Sequence, residues 1–302
     1  MNVSHQGKGL FLIILSGFLW AVAGIISKFL LSGGSTPLLL ILSRNLFGTC
    51  CLGLFLLFFK KSLFHIDKQD IRTLILCCVV MFIYSAAYFF CIYFINVSIA
   101  VMLLYLYPTM VAVTSVFVYK ERLTLKIIAA LFLTLLGLAL TLNLFNGERE
   151  AVAWPGIVLG ISAAIGAAGY CFYVKKLSGK YHSFTINFYG LLFTVLGYTV
   201  MLPFMNHEPL TGGELATALS AAFPYIGGFL TYAAGVKYLR PSFASIFGNS
   251  EAVFNVILAA LILGEVVTTS QCFGVILIIG AIVLLELPLK GKQRTAENPN
   301  KA

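Results

Sequence analysis

Glu251 places a carboxylate near the middle of an apolar run, Ser242–Leu263 (SFASIFGNSEAVFNVILAALIL), long enough to cross a bilayer. An acid at that depth costs roughly 2.5–3.5 kcal/mol on insertion scales, so it needs a cavity, a cargo, a proton or a cation beside it. Asn249 and Ser250 precede it, and Asn255 follows one helical turn on. Amide, hydroxyl and carboxylate together at mid-depth read as the wall of a wet cavity. The plainer reading is an interhelical hydrogen bond, worth ~0.6–2 kcal/mol. A carboxylate in a wet cavity also trades protons with water, which makes Glu251 the candidate proton-coupling residue as well as a candidate substrate contact.

Other residues could share that work. Arg44 stands in the first half of a second apolar run, within SRNLFG. Its guanidinium stays charged and has the fork geometry to hold a substrate carboxylate. Snorkelling to the surface and a structural ion pair with Glu251 are equally open readings. Tyr105, Tyr107 and Pro108 fall mid-run in LLYLYPTM. Pro108 has no N–H for the carbonyl of Leu104, one turn back, and broken helices at transporter centres expose such groups to ligand. An ordinary proline kink is the alternative. Mid-bilayer tyrosines need hydrogen-bond partners, so Tyr88 and Tyr232 are pocket candidates facing each other across a cavity. Trp20, Tyr84 and Tyr170 are candidate aromatic walls. Trp154, at a helix start, reads as an interface anchor. Lys28, near a helix end, reads as snorkelling, and Glu121, Glu265 and Glu286 as boundary or capping groups.

The elements that hold these residues are membrane helices. The 302-residue chain is 60% hydrophobic and 10% charged, against about 25% charged in soluble domains. Ten runs of spanning length lie near residues 10–31, 36–59, 71–95, 97–119, 124–144, 155–175, 184–203, 215–238, 242–263 and 269–288. The first is too long for a cleaved signal segment. The net charge of +9 follows the positive-inside rule, not nucleic acid: lysines and arginines gather in alternate loops, whereas the other loops carry Glu148, Glu150, Glu208, Glu214 and Glu265 and only Arg149. Both termini are therefore expected in the cytoplasm. The seven cysteines all fall inside spans, without zinc-site spacing, and read as small apolar packers. Gly156 and Gly160, continued by Ala164 and Ala168, form a close-packing stripe.

The two halves of the chain repeat. Ser98-Ile99-Ala100 corresponds to Ser242-Phe243-Ala244, and VFVYKERLTLKI (116–127) to ALILGEVVTTSQ (260–271), which sets Glu121 on Glu265 and Thr124 on Thr268. Tyr88 then falls on Tyr232. Earlier in each half the offset changes, and Gly9 meets Gly156 while Lys28 meets Lys175. Each half holds five spans, an odd number, so the second enters the membrane inverted. The expected fold is an all-α integral membrane protein: ten transmembrane helices as two inverted five-helix repeats around a central cavity. The units are 1–147 and 148–289, with a basic cytoplasmic tail at 290–302.

With these residues in view, the chain resembles the drug/metabolite transporter superfamily, of the EamA type. The resemblance rests on LLYLYPTMVAVTSVFVYKERLTLKIIAALFLTLLGLAL and FGNSEAVFNVILAALILGEVVTTSQCFGVILIIGAIVLL, with echoes in GIISKFLL and SRNLFG. The second repeat departs from the family by having Ala252 where a proline often follows the mid-helix glutamate. The resemblance implies secondary transport, with export of small metabolites such as amino acids or related compounds. An integral membrane enzyme acting on lipid or isoprenoid substrates is the alternative. His5, His65, His182 and His207 are scattered, and Asp67 and Asp70 sit in a lysine-rich loop, so no nucleophile–base pair or metal cluster emerges. A non-enzymatic protein without cofactor or metal, in a bacterial inner membrane, is expected. Its partners would be a small-molecule substrate, the lipid bilayer and protons. Monomer and homodimer stay equally open.

Overall fold

A computed structural model describes residues 3–32, 37–144, 153–204 and 211–286. The basic tail and the residues Glu148, Arg149, Glu150, His207 and Glu208 lie outside them. The chain runs through α1 (Val3–Ser32), α2 (Pro37–Phe59), α3 (Ile71–Phe94), α4 (Val97–Leu104), α5 (Tyr107–Val118), α6 (Leu125–Thr141), α7 (Trp154–Leu177), α8 (Ser183–Met201), α9 (Gly212–Val236), α10 (Pro241–Gly248), α11 (Ser250–Leu263) and α12 (Thr269–Glu286). Among the described residues, nine stretches are long and apolar enough to cross a membrane. The tenth expected span, α6, is a shorter apolar helix. The spans over 97–119 and 242–263 are each two helices, α4 with α5 and α10 with α11, broken near the middle.

Local chemistry sets the ends of these helices. The Asn96 side chain, part of a glycosylation-like triplet, instead accepts from the Ile99 N–H (2.9 Å) and caps α4. Thr124 accepts from the Ile127 N–H (3.3 Å) to start α6. Its counterpart Thr268 accepts from the Gln271 N–H (3.2 Å) to start α12. Thr211 and Glu214 close a reciprocal cap on α9. The turns after α5 and α11 also match: Lys120 (φ 52°) and Gly264 (φ 68°) are both left-handed, and each precedes a glutamate.

Packing follows membrane logic, with small residues inside and bulky ones on the outer surface. Ala163, Ala164, Ala218, Ala221, Ala222 and Ala233 are fully buried, whereas Phe117, Leu125 and Leu261 are about four-fifths exposed. Lipid tails are as apolar as leucine, so helices gain by close backbone approach, not by hiding large side chains. α1 lies along α9, and α3 lies along α7. The contacts are repeated. A methyl on Gly9 would come within 2.8 Å of Leu239 and 2.9 Å of Tyr238; one on Gly156 would come within 2.7 Å of Ile95 and 3.0 Å of Phe94. These partners are related by the offset that sets Tyr88 on Tyr232.

The described ends of the chain lie together on one side, here called the terminal face, where the Gln6 amide donates to the Glu286 carboxylate (3.4 Å). The loops joining α2 to α3 and α7 to α8 are tied together there by Lys180, 2.5 Å from Asp67 and 2.6 Å from Asp70.

Candidate functional site

Two helix breaks build the centre of the molecule. α4 stops at Leu104, and α5 restarts at Tyr107 with Pro108 in its first turn, where a missing N–H costs nothing. α10 stops at Gly248, and α11 restarts at Ser250 without any proline. The buried Asn249 occupies that second break, and neither polar atom of its side chain has a hydrogen-bond partner. Glu251 sits in the first turn of α11, where the helix dipole favours a negative charge. The Tyr107 hydroxyl donates to the Ser245 carbonyl (2.9 Å), joining the two broken spans.

Glu251 is the meeting point of two chambers. The smaller, about 50 Å³, is aromatic and includes Tyr105, Tyr107, Tyr170, Phe229 and Tyr232. The larger, about 270 Å³, includes Ser27, Arg44, Tyr88, Ile92 and Tyr225. Trp20, Tyr84 and Glu251 belong to both. Ser27 lies late in α1, Arg44 early in α2, Ile92 late in α3, and Val97, also in the wall, begins α4. The larger chamber therefore extends from Glu251 toward the face opposite the termini. Two contacts tie helices together on the terminal side. Tyr119 stacks on Phe172 with centroids 5.9 Å apart, and the Ser242 hydroxyl donates to Glu121 (2.5 Å).

Charge in the larger chamber is held apart. The Arg44 guanidinium lies 3.6 Å from the Tyr225 ring centre, and its Nε is buried without a partner. Among the described residues Arg44 and Glu251 form no ion pair within 4 Å. Trp20 Nε1 is likewise buried and unpartnered. A cation and an indole donor with bonding capacity to spare thus share one space with an acid, an arrangement suited to a polar cargo.

Comparison with known proteins gives this geometry a family. The model of the EamA-like transporter family matches twice, over residues 7–143 and 154–287. The chain belongs to the EamA-like transporter family. It is similar to the uncharacterized transporter sll1319 of Synechocystis, at 25% identity over 94% of this chain and 80% of that one. It is also similar to the inner membrane transporter YicL of Salmonella typhimurium, at 24% identity over 96% and 98%. The pseudopaline exporter CntI of Pseudomonas aeruginosa is 23% identical over 94% and 98%. A solved crystal structure, 18% identical, superposes with a TM-score of 0.78 over 94% of this chain and 97% of that one, so the fold is shared.

In this EamA-like transporter, most of the residues singled out from sequence line the chambers, Tyr84 and Tyr170 included. Glu251 and Trp20 line both; Arg44 and Tyr88 line the larger; Tyr105, Tyr107 and Tyr232 line the smaller. Tyr88 and Tyr232 thus occupy different chambers instead of facing each other. Tyr232 stacks on Tyr170 at 6.1 Å. Asn249 and Pro108 line neither chamber; both are buried at the breaks and shape the backbone there. Asn255 borders a third cavity, with Tyr105 and Glu265. Lys28, expected to snorkel, pairs with Glu265 across the two halves. Glu121 likewise joins the halves through Ser242, beyond any role as a boundary charge. Sequence reasoning missed Tyr225 and Phe229. The available signal was Pro224, which lies inside α9 just before Tyr225.

Proposed function

We propose that the protein exports a small polar metabolite by alternating access, with Glu251 as the central substrate and proton-coupling residue. The observation that carries this reading is the shared position of Glu251. An acid with no ion pair among the described residues borders both chambers at a helix break, and the larger one extends toward the face opposite the termini. Basic residues on the terminal face support cytoplasmic termini, which makes the conformation outward-facing and fits a bacterial inner membrane. Arg44 and Glu251 on one chamber suit a cargo bearing both an acidic and a basic group, as amino acids and their derivatives do. Export is supported by the similarity to an exporter. A gradient drives the cycle, and protons exchanged at Glu251 supply the coupling.

The test is metabolite profiling of cells that overexpress the protein beside cells that express Glu251→Gln at equal level. Loss of one compound from the cytosol with gain in the medium, absent in the variant, is the expected result. The identified compound is then followed in vesicles with and without a pH gradient. Identical profiles from the two strains would refute the assignment of Glu251. Gradient-independent flux through the wild-type protein would refute proton coupling alone.

A further inference from the structure

A separate cavity of about 330 Å³ opens on the terminal face, away from the central chambers. Its rim is cationic and polar: Lys8 in the first turns of α1, Lys237 just past the end of α9, and His182 at the start of α8, with Tyr181 and Tyr238. Its floor is apolar, made by Leu12, Ala233 and Ala234. Among the described residues no carboxylate lines it. Asp67 and Asp70, on the same face, are held by Lys180, and Asp70 also accepts from the Tyr181 hydroxyl (2.7 Å). Lys8 stands 5.3 Å from the Tyr238 ring centre, and neither it nor Lys237 has a carboxylate partner among the described residues. The His182 Nδ1 accepts from the Phe184 N–H (3.3 Å), which leaves Nε2 for the cavity.

Three helix ends bring this rim to the level where a bilayer changes from headgroups to tails. Basic pockets between helices at that level bind anionic headgroups. A free anion would be served by the lysines alone. The small-residue floor, one turn deeper between α1 and α9, is what a glycerol backbone and the first acyl carbons would cover.

We propose that this cavity is a binding site for the phosphate group of an anionic phospholipid, with Lys8 and Lys237 as the charge contacts and Leu12 and Ala234 as the seat for its apolar part. The site is independent of the transport reading. The experiment uses the full chain in detergent micelles doped with phosphatidylglycerol or phosphatidylcholine, with retained lipid counted by native mass spectrometry. Phosphatidylglycerol should be retained preferentially, and the Lys8→Gln/Lys237→Gln variant should lose that preference by about thirtyfold. Ala234→Leu, which fills the floor and leaves the charge alone, should weaken retention as well. Lys60→Gln/Lys61→Gln, on the same face but outside the cavity, should not. Equal retention of the two lipids, or a preference that survives the Lys8/Lys237 changes, would overturn the proposal. So would competition by glycerol phosphate or inorganic phosphate at concentrations matching the lipid, since the site would then serve soluble phosphates.

Discussion

Replacing Gly17 with alanine tests whether α1 is the backrest of the Glu251 break. The new methyl would lie 2.8 Å from the Glu251 amide nitrogen and 3.3 Å from its Cα, and closer still to the Ser250 hydroxyl. The Ser250 hydroxyl can rotate away; the Glu251 backbone cannot, because it opens α11. α1 must therefore retreat by several tenths of an ångström along its contact with α11. Overpacking of this kind costs ~1–3 kcal/mol. Gly280 is the control: nothing lies within 4 Å of the methyl an alanine would add there, and helix propensity favours alanine by about 1 kcal/mol. Thermal melts of the purified variants in detergent should place Gly17→Ala below wild type and Gly280→Ala at or above it. Because the strain falls beside Glu251, Gly17→Ala should also reduce export of the identified compound. A Gly17→Ala protein that melts no lower than Gly280→Ala would refute the packing argument.

The left-handed Lys120 is the strained partner of Gly264, so Lys120→Gly should raise stability by roughly 0.5–1 kcal/mol after the glycine's chain entropy is counted. Gly264→Ala should lower it by about 1–2 kcal/mol, and paired thermal melts check both. The exposed Lys28–Glu265 pair should show a coupling of only ~0.2–1 kcal/mol in a double-mutant cycle on stability, shrinking with added salt. Lys180 holds the Asp67 carboxyl below its ordinary value through a hydrogen bond and its charge. Asp67 therefore adds stability above about pH 4, the ordinary aspartate value, and loses it as pH falls through the lowered one. The melting difference between wild type and Lys180→Ala should persist at pH 7 and shrink near pH 3.

The sequence displayed the fold through its clearest physical signals. Apolar run length marked the spans, and the offset between SIA and SFA marked the repeat, down to the Thr124 and Thr268 caps. Glu251 and Arg44 were legible because charge in lipid is expensive. Tyr225 was not, because a tyrosine in an apolar run looks the same whether it meets a guanidinium or a leucine. Lys28 was read only in part for a related reason. Its helix-end position fits snorkelling, and only the three-dimensional approach of the α11–α12 turn shows that Glu265 is waiting there. The break at Asn249 also escaped, since no proline announces it.

That second break differs from the first in one consequential way. Pro108 has no N–H, so the gap after Leu104 is written into the covalent chain. At the corresponding place in the other half, Ala252 still donates, to the Asn249 carbonyl at 3.1 Å, one residue short of a regular α-helical bond. A single amide stepping back to the Gly248 carbonyl would begin to knit α10 and α11 into one rod. The mirrored halves therefore differ in what fixes them: one break is set by its proline, and the other, beside the acid, by packing alone.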